Sequence, residues 1–389
     1  METNAPVAAT ARPTLNHFRQ LDGVRFIAVA LVLIDHWLTR IISEVPLGSL
    51  GVTIFFVLSG FLITRILLSS KEKLKKPTSA DQPNSGLGKY LKTFYIRRTL
   101  RIFPIYYLTI IILAIINEPP VRKTFAWLAL YATNIYIAVH QTWMGTVDHL
   151  WSLAVEEQVY LILPLLLFFV PRRYVPLTML LMTVLSIGLR YILYYAHFEW
   201  FVGYVSTFTC LDSFGLGGIM AYGWLYKRDL FIRIFQPSHW VWISLAAFVA
   251  AVVANHYITL YTSLGYHNPL SDVWERFIAS VFGAFLIGRA VLGFDGVMKW
   301  ILENAVSQYM GRISYGLYLY HNFVYNVYHT QPTHFTARAW RRITDILPFL
   351  NSTYFFKFSF FVALTITLAT ISWYLIEKPI NNLKDRYSY

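Results

Sequence analysis

Three groups of ionisable residues lie inside apolar stretches, where charge is costly and marks function by default. In LDGVRFIAVALVLIDHW, Arg25 and His36 are eleven residues apart. On a helix that is ~16 Å along the axis and within about 20° of one face. Such a face offers a cation to hold an anion and an imidazole to move a proton. His36 also fits as an interfacial histidine beside Trp37. Asp35 falls about 100° round the helix from His36, so it is no obvious partner for that ring.

The second group is FYIRRTLRIFPIYY, where Arg98 and Arg101 share a face three residues apart. Paired guanidiniums grip phosphates and keep their charge at low dielectric. The pair also suits a positive-inside anchor. In the third group, HLWSLAVEEQVYLILP, Glu156 and Tyr160 stand at i, i+4 with Trp151 just upstream. Glu157 lies on another face and can simply complement the helix dipole. Softer features are Ser59 and Gly60, at a close helix packing, and Tyr315, Tyr318 and His321 in SYGLYLYHN. Cys210, the single cysteine, excludes disulfides and cysteine-rich metal sites. The scattered histidines suggest no metal site, and Walker, HExxH and GxSxG motifs are absent.

The elements that must position these groups are membrane helices. The 389 residues are 56% hydrophobic and 14% charged, and mean hydropathy is +0.48. A soluble domain is roughly a quarter charged. The net charge of +13 sits between apolar runs rather than in a patch for nucleic acid. Eleven apolar stretches are visible: 24–42, 48–68, 101–117, 124–140, 152–170, 175–196, 203–226, 239–260, 273–293, 308–329 and 355–376. If 124–140 does not cross, Arg172-Arg173, the 227–233 turn and IEKPINNLKDR all fall on the N-terminal side. The expectation is therefore an all-α integral membrane protein with about ten spans and both termini cytoplasmic. Segment 118–150 becomes a re-entrant or outer-side element. Residues 1–19 and 385–389 read as tails, and 70–96 as a basic cytoplasmic loop whose 70–90 part is a flexible linker. The basic ARAWRR in outer loop 330–354 is an exception to the charge rule.

Taken together, LDGVRFIAVALVLIDH, GVTIFFVLSGFLITRIL, FYIRRTLRIFPIYY, HLWSLAVEEQVYLILP, SYGLYLYHNF and WYLIEKPI resemble the acyltransferase-3 family of integral-membrane O-acyltransferases. The blocks run from about residue 20 to 384. The resemblance implies ten helices, cytoplasmic termini, a place in the inner membrane, and acylation of sugars. It makes His36 the catalytic histidine, matches Arg25 to its motif partner, Arg98 and Arg101 to the arginine pair, and Glu156 to the motif carboxylate.

On that reading the donor is cytoplasmic acetyl-CoA, without a metal, its phosphates held by Arg98 and Arg101 with Arg25 deeper. The acceptor is a hydroxyl of a cell-envelope glycan such as a polysaccharide or lipopolysaccharide. Trp151, Tyr160 and Tyr315 are candidate sugar contacts, and Glu156 would orient His36 or bind the sugar. His36 acts either as general base or through an acyl-histidine. A macrolide or other small metabolite is an alternative acceptor, and a glycan or ion transporter an alternative class. Lipids are the other expected partner, and nucleic acid is not one.

Overall fold

A computed structural model describes residues 18–42, 45–74, 86–327 and 330–387. Most of the expected tail 1–19, the middle of the expected loop and residues 388–389 lie outside that set. Within it every element is a helix. The long ones are α1 (Arg19–Ile42), α2 (Leu47–Leu74), α3 (Leu87–Ile115), α4 (Leu150–Phe169), α5 (Val175–Tyr195), α6 (Leu211–Tyr226), α7 (His239–Tyr261) and α8 (Glu275–Leu292). They are followed by α9 (Ala305–Arg312), α10 (Ser314–Val324), α11 (Phe335–Ile346) and α12 (Tyr354–Ser372).

Six helices are each long and apolar enough to cross a membrane, at 47–74, 87–115, 150–169, 172–195, 239–261 and 354–382. The lipid-type surface is plain on α5 and α7. Leu177, Leu181, Val184, Trp242, Ile243 and Val253 are all about half exposed there, a belt that water would not tolerate and a bilayer covers. The other four expected spans differ for stated reasons. Helix α1 carries Asp22, Arg25 and Asp35 and is wrapped by α2, α9 and α10 rather than by an apolar exterior. Stretch 203–226 is interrupted before α6 by a short 3-10 turn, Phe208–Cys210. Stretch 273–293 opens on a π turn, Leu270–Trp274, and with Gly296–Glu303 forms a pair bent by 90°. Stretch 308–329 breaks at Ile313 between α9 and α10.

Segment 118–150 holds three short helices, Pro119–Lys123, Phe125–Ala129 and Thr133–His140. Left-handed backbone at Asn117, Tyr131 and Gln141 bends the chain before the first, between the second and third, and after the last of them. Eight residues rise only ~12 Å, too little to cross. The expected loop 70–96 is shorter than its composition suggests. Helix α2 runs to Leu74 and α3 starts at Leu87, because Lys and Leu are good helix formers. Pro104 consequently lies inside α3 rather than in its first turns. Nor do residues 18–19 belong to a tail. Phe18 packs on Phe61 and Trp224, with ring centroids 6.0 and 5.1 Å away, and Arg19 opens α1.

Helix α2 is the hub, packed by α1, α4, α6 and α8. Small residues let the backbones meet. A Cβ on Gly60 would stand 2.5 Å from the Phe214 carbonyl oxygen of α6, and one on Gly217 2.3 Å from that of Val57. Such contact is the usual means of helix association where no hydrophobic effect drives it.

Candidate active site

The structure sorts the sequence candidates into two cavities. The larger, about 610 Å³, is lined by His36 and Asp35 of α1, by His149 and Trp151 at the start of α4, and by Tyr318 and Asn322 of α10. Its far wall includes Trp143, Trp200, Tyr204, Tyr266, Arg190 and Arg276. The smaller, about 280 Å³, is lined by Arg25, Arg98, Arg101, Glu156, Tyr160, Tyr315 and Ser59.

His36 is placed by cross-ties between α1 and the end of α10. The His36 carbonyl accepts from Val327 N at 3.1 Å, and Trp37 Nε1 donates to the Tyr325 carbonyl at 2.6 Å. The His36 ring then stacks on His321, centroids 4.9 Å apart and planes 13° from parallel, with His36 Nδ1 2.7 Å from His321 Nε2. His321 Nδ1 lies 2.6 Å from the Tyr318 carbonyl. A carbonyl only accepts, so His321 Nδ1 carries hydrogen. For a neutral His321 its Nε2 is therefore the acceptor, and His36 Nδ1–H donates to it. That leaves the lone pair of His36 on Nε2. This logic matches the carboxylate of a catalytic triad, with a neutral imidazole in its place. His321 is wholly buried.

His149 is a third imidazole in the same place, its ring edge-on to His321 at 4.9 Å. Its Nε2 donates to the Leu319 carbonyl at 3.1 Å, and its Nδ1 is buried without a partner. Among the described residues no group of histidine, cysteine or carboxylate side chains is arranged to hold a metal ion. Asp35 lines the same cavity as His36 and approaches Gly48, where a Cβ would meet its Oδ2 at 2.8 Å.

Glu156 is not beside His36. Ser59 Oγ of α2 donates to Glu156 Oε1 at 2.6 Å and accepts from Tyr160 at 2.9 Å. The Arg98 guanidinium lies 4.1 Å over the Tyr160 ring, and its Nε is buried with no partner. Arg25 is paired with Asp22 one turn away. Tyr315 donates to the Ile102 carbonyl at 3.3 Å. Of the three aromatic candidates, Trp151 faces the histidine cavity while Tyr160 and Tyr315 face the arginine cavity. An orphaned guanidinium N–H among three arginines suits phosphate or another anion, although Glu156 and Glu157 act on the same charge.

Reading along single helices missed His149, Arg190 and Arg276. His149 opens the HLWSL string beside Trp151, which was its available signal. Arg190 and Arg276 stand in α5 and α8 as isolated basic residues in apolar stretches, and that rarity was theirs.

His321 is bonded to His36 and is not among the residues lining the cavity, an arrangement whose expected role is to position His36 and which two substitutions test. His321→Ala should lower kcat about 10²-fold with little change in KM. His321→Gln, whose amide oxygen can accept from His36 Nδ1–H, should recover part of that loss. Equal loss in both variants, or a change confined to KM, would remove the positioning role.

The family described as an acyltransferase domain matches residues 18–376. The O-acetyltransferase OatA of Staphylococcus aureus NCTC 8325 is 27% identical over 386 residues, covering 92% of this chain and 56% of the relative. The OatA of Staphylococcus aureus strain COL matches to the same extent. The chain thus spans little more than half the length of the curated relatives it matches. No solved structure matches it. With the match covering nearly every helix that builds the two cavities, the chain belongs to the acyltransferase-3 family, a family of O-acyltransferases.

Proposed function

We propose that this protein moves an acetyl group from acetyl-CoA to a hydroxyl of a cell-envelope glycan or lipid-linked saccharide, with His36 as general base. The observation that carries the reading is the division of labour between adjoining cavities. One gathers arginines, and the other gathers imidazoles and aromatic rings. The proposed topology keeps ten crossings of the inner membrane and both termini cytoplasmic, so the basic chain before Arg98 faces the compartment that holds coenzyme A.

In this scheme Arg98, Arg101 and Arg25 hold the anionic end of the donor. About 280 Å³ is below the range usual for a whole drug-sized ligand, so that cavity suits the thin pantetheine arm, with the nucleotide beyond it. The acceptor sugar lies in the histidine cavity against Trp151, Tyr204 and their neighbours. Asp35, Asp148, Asp272 and Glu275 on the same walls favour a neutral, hydroxyl-rich ligand over an anion. His36 Nε2 takes the hydroxyl proton while the oxygen attacks the thioester carbonyl carbon. The tetrahedral oxyanion collapses, the C–S bond breaks, and the proton on His36 passes to the departing thiolate. The products are the sugar ester and coenzyme A. The His36–His321 bond supports the imidazolium between the two proton transfers, which favours base catalysis over an acyl-histidine. The name of the OatA relatives, O-acetyltransferase, agrees in reaction class.

The test uses purified protein in detergent with labelled acetyl-CoA and a digest of envelope glycan. Acetyl-CoA at 100 times its Kd should stabilise the fold by ~2.7 kcal/mol, and label should move to the glycan with release of coenzyme A. Absence of both stabilisation and release would sink the reading and reopen that of a transporter. Stabilisation and slow release without label in any glycan would point to a small-metabolite acceptor.

A further inference from the structure

Among the described residues, the linings of the two cavities share two side chains, Val52 of α2 and Tyr318 of α10. Both are buried, at 7% and 6% exposure, so together they form the partition. The two halves are held differently. The Tyr318 hydroxyl lies 2.6 Å from Ser152 Oγ and 3.0 Å from the His149 carbonyl. Its ring is edge-on to Phe55 at 6.2 Å, a residue of the arginine cavity. On the other side it faces His149 and His321 at 5.6 and 5.5 Å. That ring cannot swing aside without giving up its hydrogen bonds. Val52 has only its two methyls to offer. Its backbone is pinned, because the neighbouring Gly51 abuts α1 so closely that a Cβ would be 2.4 Å from the Ala28 carbonyl oxygen. Of the two shared side chains, the one at position 52 is therefore the one free of hydrogen bonds that would hold it in place.

We propose that the donor's acyl group passes from the arginine cavity to the histidine cavity between Val52 and Tyr318, and that this aperture selects acyl groups by cross-section rather than by length. The proposal rests on the acyl-transfer reading above and adds no covalent step to it. An unbranched chain presents about one methylene of width whatever its length, and the larger cavity beyond has room for it. A branch next to the carbonyl sets two methyls side by side against the Val52 methyls and the Tyr318 ring. Acetyl and butyryl groups should pass, and isobutyryl should not.

The experiment measures coenzyme A release and glycan acylation by the full chain with acetyl-CoA, butyryl-CoA and isobutyryl-CoA. Wild type is compared with Val52→Ala, Val52→Ile and Val52→Phe. Val52→Ala should raise the isobutyryl-to-acetyl ratio of kcat/KM by about tenfold or more, the usual worth of a methyl-sized space. Val52→Phe should cut acetyl transfer at least about 10²-fold while acetyl-CoA Kd stays within about threefold. If Val52→Phe does not fold, Val52→Ile should still lower acetyl and butyryl transfer together, leaving the ratio of the two within about twofold. An unchanged ratio in Val52→Ala overturns the aperture. So does near-normal acetyl transfer by a folded Val52→Phe. A wild type that neither binds acetyl-CoA nor releases coenzyme A removes the transfer reading itself, a failure distinct from either.

Discussion

His36→Ala is expected to lose acetyl transfer by about 10²–10⁴-fold, the range set by removing a positioned general base, while acetyl-CoA affinity stays within about twofold. The two effects separate because the imidazole and the arginines line different cavities. A base must be neutral to accept a proton, so wild-type kcat/KM should fall as pH drops through the titration of the imidazole. The residual rate of His36→Ala should lack that acid limb. Binding is measured by titration with acetyl-CoA and transfer by label in the glycan. Retention of more than a tenth of wild-type transfer would exclude His36 from the chemical step. A trapped acyl-protein that vanishes in His36→Ala would replace the base with a nucleophile.

Removing both arginines should act in the opposite way. Charge-assisted hydrogen bonds are worth roughly 1.5–3 kcal/mol each, so Arg98→Ala/Arg101→Ala should weaken acetyl-CoA binding by about 10²–10⁴-fold at low salt. Transfer at saturating donor should fall far less. Arg98→Lys should sit between, since lysine keeps the charge but not the planar fork. Arg98 also lies on the Tyr160 ring, so the melting temperature of the unliganded variant serves as the control for lost packing. An unchanged Kd in a folded double variant would return the pair to the role of positive-inside anchors and move the donor's phosphates elsewhere.

Sequence by itself determined what lies along single helices. Mean hydropathy and the spacing of apolar runs set an all-helical chain with membrane-length elements, because a segment in lipid must satisfy its own backbone. Six of the expected stretches correspond to long apolar helices. The shared face of Arg98 and Arg101 follows from helical periodicity alone. The break at Ile313 was passed over although Gly311 and Arg312 stand just before it, because an apolar run resumes at once in α10. The early start of α3 was hidden by lysines that serve a loop and a helix equally well.

Tertiary structure decided every pairing between helices. His36 meets His321, 285 residues away, and an imidazole among eleven in the chain carries no mark of its partner. Glu156, expected near His36, is held instead by Ser59 from α2, because glycine contacts bring α2 to the centre of the bundle. Trp151 and Tyr160 lie on one helix yet face different cavities. The partition between those cavities is lined by Tyr318, which the sequence offered only as one of several tyrosines, and by Val52, whose side chain has no polar group to mark it. Periodicity is a property of one helix, whereas a site between helices depends on which backbones can approach, and only packing decides that.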